Sequence, residues 1–263
     1  MEFEGQITYL RNECVLFMRT KERFGGLSNM AAGYPLSING INIPTSEALY
    51  QACRFPHKSE IQKVIIGQRS PMTAKMKSKP YRKDTRPDWD QVRVDIMWWC
   101  LRVKLAQHWE KFGDLLLSTG NNPIIEESYK DQFWGAKPVS EEKLIGLNVL
   151  GQLLTNLREL LKRLDADKLQ YVSPLTLSQF LLIDKPIGAI ESGNHKYDTS
   201  TFSVKETMYD LFASDRNVVP STRKDVRSLL DVDKHSASFS EGYIPYASLA
   251  PENTCVQLSL DFI

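Results

Sequence analysis

The stretch "PTSEALYQACRF", residues 44–55, places Glu47, Tyr50, Gln51 and Arg54 at i, i+3, i+4 and i+7. That spacing is one face of a helix, with Ala48, Ala52 and Phe55 on another face that can enter a core. A carboxylate on such a face can give or take a proton in a reaction. An acid in a first helical turn is also what the helix dipole favours, worth about 0.3–1 kcal/mol with no active site at all. The polar stripe therefore faces either bulk water or a site.

Other segments pose the same choice. Lys104 lies one turn past Cys100 and beside Leu101. Its stem either snorkels to water or its amine is desolvated, and a desolvated amine suits a Schiff-base nucleophile. "AKMKSKPYRKDTR" carries Lys75, Lys77, Lys79, Arg82, Lys83 and Arg86 against the single acid Asp84. This is a solvated charge run or a phosphate-binding loop. "IIEESYKDQFWGA" groups Glu126, Asp131, Phe133 and Trp134 just before Gly135. An aromatic beside a tight turn can stack on a base, while a carboxylate steadies positive charge; a core Trp with a turn Asp gives the same pattern. Asn148 stands at a helix start, where capping is its plainest role.

The elements that must position these groups follow from periodicity and punctuation. "GQITYL" and "ECVLFM" read as short strands, and "LSINGINIP" as a hairpin turning at Asn39-Gly40. Thr45 or Ser46 caps the helix that carries Glu47. A helix follows in "HKSEIQKVIIGQ", then a short helix with the basic loop. The strongest helix is "DWDQVRVDIMWWCLRVKLAQHW", capped by Asp88, with Val92, Ile96, Trp99 and Val103 as its apolar stripe. "KFGDLLLSTG" ends at Gly120. "NPIIEESYKDQFWGA" reads as a strand and turn, and "GLNVLGQLLTNLRELLKRL" as a leucine-rich helix interrupted by Gly151, where close packing would explain the glycine. Beyond Leu164, "SPLTLSQFLLIDKP" is a helix or a strand. Capped helices are expected at "SVKETMYDLFA" and "STRKDVRSLLD", and a strand-like tail at "ENTCVQLSLDFI".

Composition bounds the classes. The chain has 263 residues, 42% of them hydrophobic and 25% charged, as in ordinary globular proteins. The net charge of +1 is uneven: residues 1–164 hold 24 basic and 18 acidic residues, and residues 165–263 hold 9 and 14. The asymmetry suggests two units with different jobs, residues 1–164 and a C-terminal extension over residues 165–263. Cys14, Cys53, Cys100 and Cys255 make no CxxC pair, and His57, His108, His195 and His235 show no HxxxH spacing, so neither a metal nor a cofactor is expected. No apolar leader or membrane-length run is visible, which points to a cytoplasmic protein away from membranes.

The order of the segments is more specific than any of them alone. "GGLSN" (25–29), "PTSEALYQACRF", "SPMTAKMKS" (70–78), "RPDWDQVRVDIMWWCLRVKLAQH" (86–108), "LLSTGNNPIIEESYKDQFWG" (116–135) and "GLNVLG" (146–151) follow one another. Together they resemble the NADAR family over about residues 15–163. Departures are Ala48 in place of the usual His, Met30 in place of an aromatic, Arg54 in place of Lys, and Leu105 in place of Phe. The resemblance implies an α+β, mainly helical domain that cleaves N-glycosidic bonds to ribose. The bond lies in ADP-ribose on a guanine base of nucleic acid, or in a ribosylamino-pyrimidine of riboflavin synthesis. A module that binds ADP-ribose or NAD without cleaving it is the non-catalytic alternative. Under the resemblance, Glu47 or Asp131 is the acid/base, and Lys104, or second Lys75, captures the opened sugar as an imine. Trp89 or Trp134 stacks on the base, and Arg54 or Arg82 holds phosphates. Ser28, Asn29, Gln51, Glu126, Gly135 and Asn148 complete the expected substrate contacts.

Overall fold

In the computed structural model, which describes residues 6–163 and 166–192, Thr45 Oγ1 accepts the Ala48 N–H at 3.2 Å and starts helix α1 (Ser46–Ala52). The cap fixes the phase of the helix. Ala48, Ala52 and Phe55 enter the core, and the Glu47 face turns to a cavity described below. Helices α2 (Ser59–Ile66), α3 (Pro71–Ser78), α4 (Trp89–Gln107), α5 (Trp109–Leu117) and α6 (Val149–Leu161) follow. Ser70 Oγ accepts the Thr73 N–H at the head of α3, with Pro71 in the first turn. The basic residues after α3 form a 3-10 segment, Lys79–Asp84. Val92, Ile96, Trp99 and Val103 of α4 are buried as the sequence predicts, and so are Leu150, Leu153, Leu154, Leu157 and Leu160 of α6, while Leu161 is half-buried. Full burial of each such side chain is worth about 1.5–3 kcal/mol.

The strands are short. β1 (Ile7–Leu10), β2 (Val15–Phe17), β3 (Leu36–Ile38), β4 (Ile41–Ile43), β5 (Ile124–Glu126), β6 (Lys137–Pro138), β7 (Lys143–Gly146), β8 (Tyr171–Val172), β9 (Leu181–Leu182), β10 (Lys185–Pro186) and β11 (Ile190–Glu191) form one three-stranded sheet and four pairs. The larger sheet has order β1-β7-β6, all antiparallel; β2 runs parallel to β5. The β3–β4 hairpin turns at Asn39 (φ 52°) and Gly40 (φ 77°), both left-handed as an Asn-Gly turn requires. The architecture is α+β. It is helical in its core, but strands β6 and β7, which the sequence reading passes over, close the sheet.

Two caps differ from expectation. Asp88 occupies the N-cap position of α4 but makes no cap bond; Arg86 takes its carboxylate through contacts of 2.6 and 2.9 Å. That pairing lowers the Asp88 pKa. Asn148 precedes α6 in a left-handed conformation (φ 50°) and does not cap it either. Its amide reaches sideways to β5, accepting from Glu126 N at 2.9 Å and donating to Ile124 O at 2.9 Å.

Gly151 explains why that bridge is possible. A Cβ there would strike the Ile124 carbonyl oxygen and the Asn148 amide. Gly151→Ala is therefore expected to lower stability by about 1–3 kcal/mol through overpacking, outweighing the roughly 1 kcal/mol that Ala gains over Gly in a helix. A thermal melt showing the variant at or above wild-type Tm would refute this packing role.

Packing does not break at the proposed boundary of 164. Residues 166–192 lie against α4. Trp99 Nε1 donates to Ser173 O at 3.1 Å and its ring meets Phe180 edge-on. Gln62 joins α2 to the same segment, donating to Leu181 O and accepting from Ile183 N. "SPLTLSQFLLIDKP" is resolved in favour of strand, since β9 and β10 form a hairpin. The two later capped helices and the strand-like tail lie outside the described residues. Among the described residues no helix is long and apolar enough to cross a membrane.

Candidate active site

Helix α1, helix α3 with the 3-10 turn, the first half of α4 and the Glu126–Trp134 loop surround a cavity of about 730 Å³. That is the size of a small-molecule site. Its walls are unusually ionic, with the acids Glu47, Asp90, Glu126 and Asp131 and the bases Arg54, Lys75, Arg82, Arg86 and Arg93.

Glu47 is buried and fixed from both sides. Its Oε2 accepts from Asn29 Nδ2 at 2.8 Å and its Oε1 from Gln51 Nε2 at 2.9 Å. Ser78 Oγ holds the Gln51 oxygen at 2.8 Å, and Glu47 N donates to Asn29 O at 3.1 Å. The chain Ser78–Gln51–Glu47–Asn29 thus ties three separate segments to one carboxylate. Asn29 Oδ1 is buried with no partner among the described residues.

Asp131 Oδ1 accepts the N–H groups of Phe133 (3.0 Å) and Trp134 (2.9 Å), so the acid organises the loop that presents Trp134. Glu126 sits at the end of β5, with its own N–H held by Asn148. Burial first, then the charges of Asp131 and Glu47, push its pKa up to about 7, with Lys75 pulling the other way.

The aromatic wall is layered. Tyr50 packs at 5.1 Å from Trp89 and edge-on to Trp134 at 5.7 Å. Burial, reinforced by Glu47, raises the Tyr50 pKa well above the usual phenol value, so it stays protonated. Arg54 lies over Trp89 at 4.9 Å and donates to Thr85 Oγ1. Trp89 is nearly covered, whereas Trp134 is half-buried and presents the more accessible ring. Arg93 lies over Phe133 at 3.9 Å.

Ten of the expected residues line this cavity: Glu47, Asp131, Lys75, Asn29, Gln51, Arg54, Arg82, Trp89, Glu126 and Trp134. Four do not. Lys104 is fully buried elsewhere, with Nζ donating to Gly26 O at 2.6 Å and Ser28 O at 3.2 Å between the rings of Tyr34 and Phe112. Burial, with Lys111 nearby, lowers its pKa to about 7. It anchors the "GGLSN" loop and does not reach the cavity. Ser28 turns its hydroxyl to Met30 N within that loop. Gly135 is a packing glycine, since a Cβ would strike the Glu126 carbonyl oxygen. Asn148 is the strut described above.

Sequence reading missed Arg93 and Met97, which line the cavity with Trp89. Their signal was present: 89, 93 and 97 share one face of α4 at i, i+4 and i+8. Arg86, in the segment read as either a solvated charge run or a phosphate-binding loop, is 4% exposed; Asp88 neutralises it and it donates to the Ser178 carbonyl.

Comparison with known proteins identifies the family. The chain is 34% identical over 153 residues to the protein named N-glycosidase YbiA of Escherichia coli (strain K12), covering 57% of this chain and 89% of that protein. It is 32% identical over 169 residues to a protein of Vibrio vulnificus (strain YJ016) named for riboflavin biosynthesis, covering 64% of this chain and 41% of that one. The NMR structure of E. coli YbiA matches with a TM-score of 0.50 and 33% identity, over 58% of this chain and 87% of that chain. Residues 16–162 match the NADAR domain, a span that contains every residue lining the cavity, and the chain belongs to that family.

Proposed function

We propose that the chain is an N-glycosidase that breaks the bond between ribose C1 and a base nitrogen, and that its substrate is ADP-ribose attached to guanine in nucleic acid. The observation that carries the reading is the fixed Glu47 carboxylate in a cavity rich in cations. Cleavage at C1 builds positive charge on the sugar, and a preoriented carboxylate stabilises it without reorganisation. Arg86 is paired to Asp88 and Arg93 to Asp90, whereas Lys75, Arg54 and Arg82 enter no ion pair among the described residues. Three such cations suit a diphosphate or nucleic-acid phosphates. Asn29 Oδ1 would accept from a ribose hydroxyl, and Trp134 would stack on the base. Lys75, the lysine in the cavity wall, takes the imine role that Lys104 cannot reach.

The relative named for riboflavin biosynthesis favours a second reading, a ribosylamino-pyrimidine phosphate. Both substrates share the ribose–amine bond. The test offers the full chain an oligonucleotide carrying ADP-ribose on guanine beside a ribosylamino-pyrimidine phosphate. We expect free ADP-ribose from the first. Ribose 5-phosphate from the second alone would move the assignment to the pyrimidine. Product from neither would leave the chain as a binding module. Borohydride added during turnover is expected to fix a sugar adduct on Lys75 and none on a Lys75→Arg variant; an adduct elsewhere overturns that role.

A further inference from the structure

We infer that Glu126 is the general acid of this site, the group that hands a proton to the base nitrogen as it leaves ribose C1; the inference rests on the N-glycosidase reading above. Four carboxylates line the cavity: Asp90 pairs with Arg93 at 3.8 Å, and of the other three only Glu126 accepts no hydrogen bond on its carboxyl among the described residues. Glu47 accepts an amide N–H on each oxygen. Asp131 accepts two backbone N–H groups on Oδ1. A carboxyl clamped by donors is placed to hold charge, not to carry a transferable proton. No hydrogen-bond donor among the described residues reaches the Glu126 carboxyl, which borders the cavity.

Its backbone is nonetheless rigid. Glu126 N donates to Asn148 Oδ1, its carbonyl accepts from Ala136 N at 2.8 Å, and β5 pairs with β2 beside Phe17. A free acid head on a fixed strand end is what a proton donor needs. The groups that face it act in opposite senses. Asp131 from its own loop and Glu47 from α1 favour the protonated form, while Lys75 from α3 opposes it. Arg93 of α4 borders the same cavity. With burial dominant, Glu126 holds its proton up to about pH 7, near the value at which a general acid works best.

The step balances as follows. The C1–N bond breaks and its electron pair goes to nitrogen, which takes the Glu126 proton. C1, positively charged beside Glu47, takes the oxygen of water, and the proton lost by that water returns to the Glu126 carboxylate. If Lys75 takes C1 first, water hydrolyses the imine afterwards and the sum is unchanged: ribosyl-amine plus water gives free base plus ribose.

The experiment is the pH profile of kcat/KM for the full chain and for Glu126→Gln and Glu126→Asp. Wild type should lose activity as pH rises through about 7, because the acid form is then depleted. Glu126→Gln should abolish that limb and slow release of ADP-ribose from guanine by about a hundredfold. Its loss should be much smaller on a p-nitrophenyl riboside, whose phenolate departs without a proton. Glu126→Asp should keep the limb at a reduced rate. An unchanged alkaline limb in Glu126→Gln, or equal losses on both leaving groups, overturns the inference while leaving the N-glycosidase reading intact. Inactivity of wild type on every ribosyl substrate overturns both.

Discussion

Glu47→Gln is expected to cut kcat by about 10²–10⁴-fold while leaving the protein folded. The side chain keeps its size and place but loses the charge that would face C1. One of its two amide donors would meet an NH2 group where an oxygen stood. Asn29 can answer by turning its own oxygen, now unpartnered, toward that group. The structural cost is then a single rearranged hydrogen bond, about 1 kcal/mol. Steady-state kinetics and a thermal melt, run together, check both halves. Near-wild-type turnover would remove Glu47 from the chemistry; a collapsed melt would show the carboxylate to be structural instead.

The second large effect is on stability, at Lys104. Lys104→Met fills the same space but leaves the Gly26 and Ser28 carbonyls without their donor. Each unsatisfied acceptor costs about 1–3 kcal/mol. Against that loss, the variant escapes the cost of burying an ammonium, and this gain depends on pH. Below about pH 7 Lys104 is protonated in both the folded and unfolded chain, and the burial cost is felt in full. Between about 7 and the ordinary 10.5 the unfolded chain holds a proton that the folded one has released, so wild-type stability climbs with pH. The Tm difference between wild type and Lys104→Met should therefore widen in favour of wild type from pH 7 to 10. A difference that is flat with pH would mean that Lys104 keeps its charge when folded. Loosening the "GGLSN" loop should also weaken the Asn29 grip on Glu47, so kcat falls without any contact between Lys104 and substrate.

The two experiments separate residues that look alike in one dimension. Glu47 and Lys104 are both charged residues on helices, each among apolar neighbours. For Glu47 the sequence showed the i, i+3, i+4, i+7 stripe opposite Ala48, Ala52 and Phe55 and left open whether it faces water or a site; packing of the other face turns it to the cavity. The same local periodicity gave the α4 core stripe, the Asn39-Gly40 turn and the leucine face of α6. Turn chemistry and apolar spacing act over a few residues, which is why they can be read from the chain.

Lys104 shows where that reading ends. Periodicity says which face a residue shares, not what covers that face. Tyr34 and the Gly26 and Ser28 carbonyls come from about 70 to 80 positions away, and only their arrival turns a snorkelling lysine into a buried strut. Asn148 is similar: a helix-start asparagine caps by default, but its left-handed backbone and the approach of β5 over Gly151 redirect the amide. The rank of Glu47, Glu126 and Asp131 is also tertiary. The sequence by itself determined that Glu47, Glu126 and Asp131 exist beside cations and aromatics, and in what order. Folding decided which two are clamped by donors and which one lines the cavity without a donor, because hydrogen-bond partners and burial are set by segments that meet only in three dimensions.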